Sequence, residues 1–309
     1  MTIFKQAIGY SNLEDFYTIG KFINKGKFGQ VNQGIHKKTK KKVAIKTIKK
    51  KDMKSEELHL QKREIEVMKI CQHPNIVKLL DVFENFEYIF IVMEYMEGGD
   101  LFTYMDSREF KITEDRARNI THMIASALYY LHSFGIVHRD IKMENILLVD
   151  KEDNAELKLV DFGLSTILGP NETATEPFGT MCYVAPEVLL QKPYGKSVDL
   201  WSLGVIVFII LSGMLPFDGE NNKEIAEKTI YSVLPFEHPI WNFVSADAKD
   251  LITRLLEKDR FQRITLHEVL THPWVCKRNK DIQQRRKNSD PKNEFEFFAA
   301  YDAKYIEKM

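Results

Sequence analysis

The spacing of apolar residues changes period near residue 95, and this constrains the fold more than any other feature of the chain. From Tyr17 to about Met93 short runs alternate, as in "KKVAIKTI" at 41–48 and "YIFIVMEY" at 88–95. A period of two places successive side chains on opposite faces of a strand. One stretch departs from it: "SEELHLQKREIEVMKIC" at 55–71 has helical spacing and opens with Ser55 and two acids suited to a helix N-terminus. After "EGGD" at 97–100 the repeat lengthens to three and four residues. "ARNITHMIASALYYLHSFG" at 117–135 keeps that spacing and stops at Gly135. The expected fold class is therefore α+β, a small β-rich lobe with one main helix followed by a larger, mostly helical lobe. The predicted boundaries are an N-terminal extension at 1–15, the first lobe at about 16–94, the second at about 95–275 and a tail at 276–309.

A chain of 309 residues can bury a core of this size. Its formal net charge is zero, so no overall basic field points to nucleic acid or membrane, and partner choice falls to local patches. Cys71, Cys182 and Cys276 are odd in number and far apart, with neither metal-ligand nor disulfide spacing, which suits a reducing, cytoplasmic setting. The first residues lack an apolar stretch of signal-peptide length and a glycine at position 2. The longest apolar run, "LGVIVFIILSGML" at 203–215, is too short to cross a bilayer and reads as a buried helix.

Chemistry concentrates in "IVHRDIKMEN" at 136–145, which crowds six polar or charged side chains behind an apolar lead-in. Upstream, "INKGKFGQV" at 23–31 sets Gly26 and Gly29 between apolar segments. Without a Cβ in the way, a hairpin there can bring backbone N–H groups close to phosphate oxygens. In "VAIK" at 43–46, alternation puts Ala44 and Lys46 on one face of a strand and Val43 and Ile45 on the other. An inward lysine requires an anion, and Glu64 on the following helix is the candidate.

In this order, these elements resemble the eukaryotic protein kinases over roughly residues 17–275: the Gly-rich loop, "VAIK", Glu64, "HRDIKMEN", "DFG" at 161–163, "APE" at 185–187, "VDLWSLGV" at 198–205 and "RIT" at 263–265. The resemblance implies the bilobal kinase fold, ATP and Mg²⁺ as cofactors, and protein substrates phosphorylated on Ser or Thr. It gives Lys46 to the α and β phosphates and Glu64 to Lys46. Asp161 and Asn145 become metal ligands, Asp140 receives or orients the substrate hydroxyl proton, and Lys142 offsets charge on the migrating phosphoryl group. Ile23, Gly26 and Gly29 lie over the nucleotide. Val31, Ala44 and Leu147 wall the adenine, backbone groups of Glu94 and Met96 bond its edge, and Met93 closes the deep pocket. His138 is expected to be structural. Lys142 with Thr180 in "GTMCYVAPE" is the pairing of serine/threonine kinases. The wording of "GTMCYVAPEVL", "SVDLWSLGVIVFIILSGMLPF" and "HPW" is similar to the calcium/calmodulin-dependent group, including the calcium-dependent protein kinases of plants and protists.

Five further expectations concern single positions, the tail and an EF-hand. Glu144, and with it Asp100, matches acidic positions that contact arginines upstream of the target in basophilic relatives. Asn24 replaces the first of three loop glycines; asparagine tolerates unusual backbone angles better than most residues and that position is the least demanding of the three, so activity is expected to survive. Glu176 stands three residues before Gly179, where kinases switched on by phosphorylation carry a phosphothreonine, so it is expected to pair with Arg139; Leu60 and Thr166 fill positions where relatives place further basic partners. The tail carries "KRNKDIQQRRKNSDPK" at 277–292, with Arg286 three residues before Ser289, and then an aromatic repeat at Phe298, Tyr301 and Tyr305. It reads as a regulatory segment, with calmodulin or a calmodulin-like domain as the implied partner. No "DxDxDG" loop occurs, so no EF-hand is expected within these residues. The rival readings are a pseudokinase scaffold, whose usual signature is loss of Lys46, Asp140 or Asp161, and a small-molecule phosphotransferase of the same fold.

Overall fold

The computed structural model describes residues 12–26, 29–169 and 172–276. Its strands are β1 (Tyr17–Gly26), β2 (Gly29–His36), β3 (Lys42–Lys49), β4 (Leu79–Glu84), β5 (Tyr88–Glu94), β6 (Ile136–Val137), β7 (Ile146–Leu148), β8 (Leu157–Leu159) and β9 (Thr166–Ile167). Its helices are α1 (Leu13–Phe16), α2 (Ser55–Ile70), α3 (Leu101–Asp106), α4 (Glu114–Ser133), α5 (Pro186–Leu189), α6 (Ser197–Ser212), α7 (Asn222–Tyr231), α8 (Ala246–Leu255), α9 (Leu266–Thr271) and α10 (Pro273–Cys276). The first lobe is an antiparallel five-stranded sheet in the order β1-β2-β3-β5-β4, with α2 as its one long helix. The rest is helical apart from two short strand pairs, β6 with β9 and β7 with β8. The α+β, two-lobed expectation describes this architecture.

Alternation in β3 sorts its side chains as expected. Val43 and Ile45 are buried with Leu13, Tyr17 and Val92 in a small outer cluster, while Ile48 joins the main core. Lys46 shares the inner face with Ile48, which leaves its ammonium under the sheet and facing α2. That helix starts at Ser55, with Lys54 as a cap residue that makes no side-chain capping bond. The helix thus opens at Ser55 as expected, and Glu57 Oε2 accepts Lys54 N–H at 3.0 Å.

The apolar run near 203 folds as α6, whose residues Val198 to Ile210 are all buried, among them Trp201 and Phe208. The helix ends at Gly213, whose φ of +73° is the left-handed turn that glycine adopts without a Cβ penalty. Gly135 ends α4 in the same way, at φ +74°. The two helices pack together, His132 of α4 bonding Asp199 of α6 just before the 136–145 segment. Across the lobe junction, the N–H groups of Glu97 and Gly98 donate to Val149 O and Leu148 O, and Leu148 N–H donates to Gly99 O.

Candidate active site

The Gly-rich hairpin forms the roof. Gly26 pairs with Gly29 across the turn, and Ile23 is the extra residue of a β-bulge between the Phe22–Asn32 and Asn24–Val31 pairs. A Cβ on Gly29 would stand 2.1 Å from Thr47 O, so β2 can lie this close to β3 only with glycine there. Below the roof, β2, β3 and β5 align Val31 with Lys46 and Ala44 with Met93. Leu147 on β7 forms a bridge with Asp100 on the opposite side of the cleft. The residues read as adenine walls thus lie on β2 and β3 in the first lobe and on β7 in the second, with Met93 on β5 beside Ala44.

Lys46 Nζ donates to both carboxylate oxygens of Glu64, at 2.7 and 2.9 Å. Glu64 is only 2% exposed, and burial pushes its carboxyl above the ordinary range against the pull of Lys46. Burial works against the lysine ammonium, but the carboxylates of Glu64 and Asp161 outweigh it and raise its pKa. Asp161 sits at φ +64°, a left-handed conformation that non-glycine residues seldom hold, and its Oδ1 accepts from Gly163 N–H at 3.3 Å. A Cβ on Gly163 would be 3.1 Å from Asp161 Oδ1 and 3.5 Å from Glu64 Oε2. The DFG turn therefore brings Lys46, Glu64 and Asp161 into one group.

Asp140 is the hub of the lower half. Its carboxylate accepts from Thr180 Oγ1 and Asn145 Nδ2, each at 3.0 Å, and meets Lys142 Nζ at 2.9 Å. Lys142 also donates to Thr180 Oγ1 at 3.0 Å, closing a triangle between the catalytic loop and the "GTMCYVAPE" segment. Asn145 directs its amide nitrogen to Asp140, leaving its amide oxygen as a donor atom for a cation. Among the described residues no group of three or more His, Cys, Asp or Glu side chains could hold a metal. Asp161 and Asn145 each offer side-chain oxygens of the kind that a hard divalent cation takes when phosphate and water oxygens fill the rest of its shell.

Asp199 of α6 holds the loop in shape. It accepts the N–H groups of His138 and Arg139, each at 2.9 Å, and pairs with His132 Nε2 at 2.8 Å. Arg139 is thereby fixed at φ +69°. His138 is wholly buried, with Nε2 3.2 Å from Val160 O, and is the structural histidine expected. Sequence reasoning quoted "VDLWSLGV" without giving Asp199 a task. An acid inside an otherwise apolar helix was the available signal, because a buried carboxylate requires donors.

The expected contact of Glu176 with Arg139 is present but loose, at 3.8 Å with Glu176 63% exposed. Arg139 also donates to Leu164 O at 2.5 Å and lies over the Phe178 ring at 4.4 Å. Tyr194 donates from its hydroxyl to Glu176 O at 2.7 Å. Asp100 departs from its expected role: both its oxygens bond Thr103, at 2.8 Å to the N–H and 2.9 Å to the hydroxyl, so it caps α3. Glu144 is exposed on the loop. Ser289, Phe298 and the rest of the tail lie outside the described residues.

The model of the protein kinase domain family matches residues 17–275. A probable myosin light chain kinase of Dictyostelium discoideum is 39% identical over 277 residues, covering 90% of this chain and 79% of that protein. Calcium-dependent protein kinase 11 of Oryza sativa subsp. japonica is 38% identical over 277 residues, 89% of this chain and 48% of its own. Calcium-dependent protein kinase 1 of Arabidopsis thaliana is 39% identical over 266 residues, 85% and 43% respectively. The chain thus spans about half the length of these plant relatives. Family, fold and relatives agree that the chain belongs to the eukaryotic protein kinases and is a serine/threonine kinase of the calcium/calmodulin-dependent and calcium-dependent group.

Proposed function

We propose that residues 16–275 form an ATP-dependent catalytic domain that transfers the γ-phosphate to Ser or Thr of proteins with basic residues upstream, and that 276–309 is a regulatory tail. The observation that carries this reading is the bonding of Lys142 to both Asp140 and Thr180. Asp140, Lys142 and Thr180 lie within hydrogen-bond reach of one another, which supports reading them as base, cation and peptide-binding segment.

Lys46, kept charged by Glu64 and Asp161, orients the α and β phosphates, and the backbone around Gly26 and Gly29 approaches them from above. Asp161 and the amide oxygen of Asn145 would hold Mg²⁺, which would offset the phosphate charge. Asp140 exchanges its bond with Thr180 for one to the substrate hydroxyl, orients that oxygen and takes its proton. Lys142 stays within reach of both Asp140 and Thr180 and offsets charge in the transition state. The carbonyl of Glu94 and the backbone of Met96 serve the adenine edge, since Glu94 N–H is already given to Lys78 O at 3.1 Å. Glu144 remains the acidic contact for an upstream arginine, because Asp100 is engaged at its helix. Retention of Lys46, Asp140 and Asp161 in bonded positions favours an active enzyme over a pseudokinase scaffold.

The test uses three peptides identical except for Ser, Thr or Tyr as acceptor, each with arginine or alanine three positions upstream, and γ-labelled ATP. Label on the Ser and Thr peptides, weakened by loss of the arginine and insensitive to that loss in Glu144→Ala, is expected. Label on the Tyr peptide alone, or on none while ATP binds, overturns the reading.

A further inference from the structure

The neutral total, which points away from membranes when read as composition, conceals a strong local imbalance. Residues 37–54 carry ten lysines (37, 38, 40, 41, 42, 46, 49, 50, 51 and 54) against the single acid Asp52. Five of the ten crowd the six positions from Lys37 to Lys42, at the turn between β2 and β3, and all five are exposed.

The turn is built rigidly. His36 N–H donates to Lys41 O at 2.9 Å, Lys40 N–H donates to His36 O at 2.8 Å, and Thr39 N–H donates to His36 Nδ1 at 3.1 Å. Its charges are largely uncompensated. Lys42 pairs with Glu97 at 2.5 Å, and Lys37 reaches only the carbonyl of Glu14, also at 2.5 Å. Lys38, Lys40 and Lys41 meet no carboxylate among the described residues. Lys40 also stands at φ +59°, where glycine or asparagine would be easier, so the turn keeps a charge at the cost of backbone comfort. At its base, Phe16 and Ile35 are each 44% exposed, and Lys37 N–H donates to Phe16 O at 2.7 Å.

We propose that this turn is a docking point for an anionic lipid surface. Lysines are compact point charges without the planar fork that reads base edges. No aromatic residue interrupts 37–42 to stack on bases, and exposed Phe16 and Ile35 beside the charges suit the boundary between headgroups and acyl chains. A protruding rigid turn touches a flat surface without requiring a groove. Each lysine near an anionic leaflet raises partitioning roughly fivefold, so three uncompensated ones give about a hundredfold, a weak and reversible attachment.

The experiment is sedimentation of the full chain with vesicles of phosphatidylcholine, alone or with about 30% phosphatidylserine, at about 0.1 M salt and again at about 0.5 M, where screening removes most of the attraction. Binding is expected only to the anionic vesicles at low salt. Lys38→Glu/Lys41→Glu should lower partitioning about 25-fold or more. The same charge change in Lys51→Glu/Lys54→Glu, at the other end of β3, should lower it less than about fivefold. Lys40→Gly should raise Tm yet weaken vesicle binding severalfold, a divergence that a structural role alone does not produce. Peptide kinase activity without vesicles should be the same in all variants. The proposal is overturned if the anionic vesicles do not bind, if the two double variants lose binding equally, or if duplex DNA or RNA of equal phosphate concentration binds more tightly than the vesicles.

Discussion

Asp199 lies in one of the most apolar helices of the chain and serves residues some sixty positions away, holding two backbone N–H groups and one imidazole. Leaving such buried donors without an acceptor costs about 1–3 kcal/mol each. Asp199→Ala should therefore lose at least about 3 kcal/mol in a urea melt as well as activity, whereas Asp140→Ala should lose activity with near-native stability. In the upper half of the site, Lys46→Met removes the charge aimed at the phosphates and should reduce turnover about a hundredfold or more. Glu64→Gln keeps the lysine and should cost nearer tenfold at saturating ATP, with an unchanged melt. Equal turnover in Glu64→Gln and the native chain would refute the coupling. Lys46, Glu64, Asp140 and Asn145 were legible in sequence because a fixed order of motifs carries them. Asp199 shows only as an acid in an apolar helix, with no sign of which distant donors it serves, and the positive φ of Arg139 and Asp161 leaves no local pattern at all.

At the scale of elements, β8, the hinge at the end of β5 where the lobes join, and the segment before β4 are tied by side chains that look unremarkable in sequence. Glu94, the last residue of β5, accepts Lys78 N–H at 2.7 Å and pairs with Lys158 of β8 at 2.9 Å. Lys158→Met should loosen the hinge against β8 and raise KM for ATP about fivefold, equivalent to about 1 kcal/mol, with kcat nearly unchanged. A fall in kcat alone would contradict that role. Nearby, His73 accepts Asn75 N–H through Nδ1 at 3.0 Å, and its Nε2 lies 3.1 Å from Ser126 Oγ. Burial first, then the charges of Lys158 and His122, push its pKa down to about 4. The unfolded chain takes up this proton below about pH 6.5 and the folded chain only near 4. Stability should therefore fall as pH drops from about 6.5 to 4, by up to roughly 3 kcal/mol, and His73→Asn should flatten that part of the profile. The strands, α2 and α6 were readable from the apolar pattern, whereas the bulge at Ile23 depends on cross-strand register that the pattern does not encode.

Over the whole molecule, each lobe carries its half of the site already assembled: Lys46 on Glu64 in the first, and Lys142 and Thr180 on Asp140 in the second. The activation segment is held by Tyr194 on Glu176 O and by the backbone pairing of Ala174 with Tyr194, none of which requires a phosphate. Since the Glu176–Arg139 pair is long and exposed, it contributes at most about 1 kcal/mol. Glu176→Ala should thus reduce activity no more than about fivefold, a milder loss than the sequence pattern alone implies. The most direct test is γ-phosphate transfer from ATP and Mg²⁺ to a basic serine peptide by phosphatase-treated full chain, beside Asp161→Ala. The account predicts robust transfer with Thr173 and Thr175 unmodified by mass spectrometry, and a loss of about a thousandfold or more in Asp161→Ala. Transfer that begins only once Thr175 is phosphorylated, or that survives in Asp161→Ala, would contradict it.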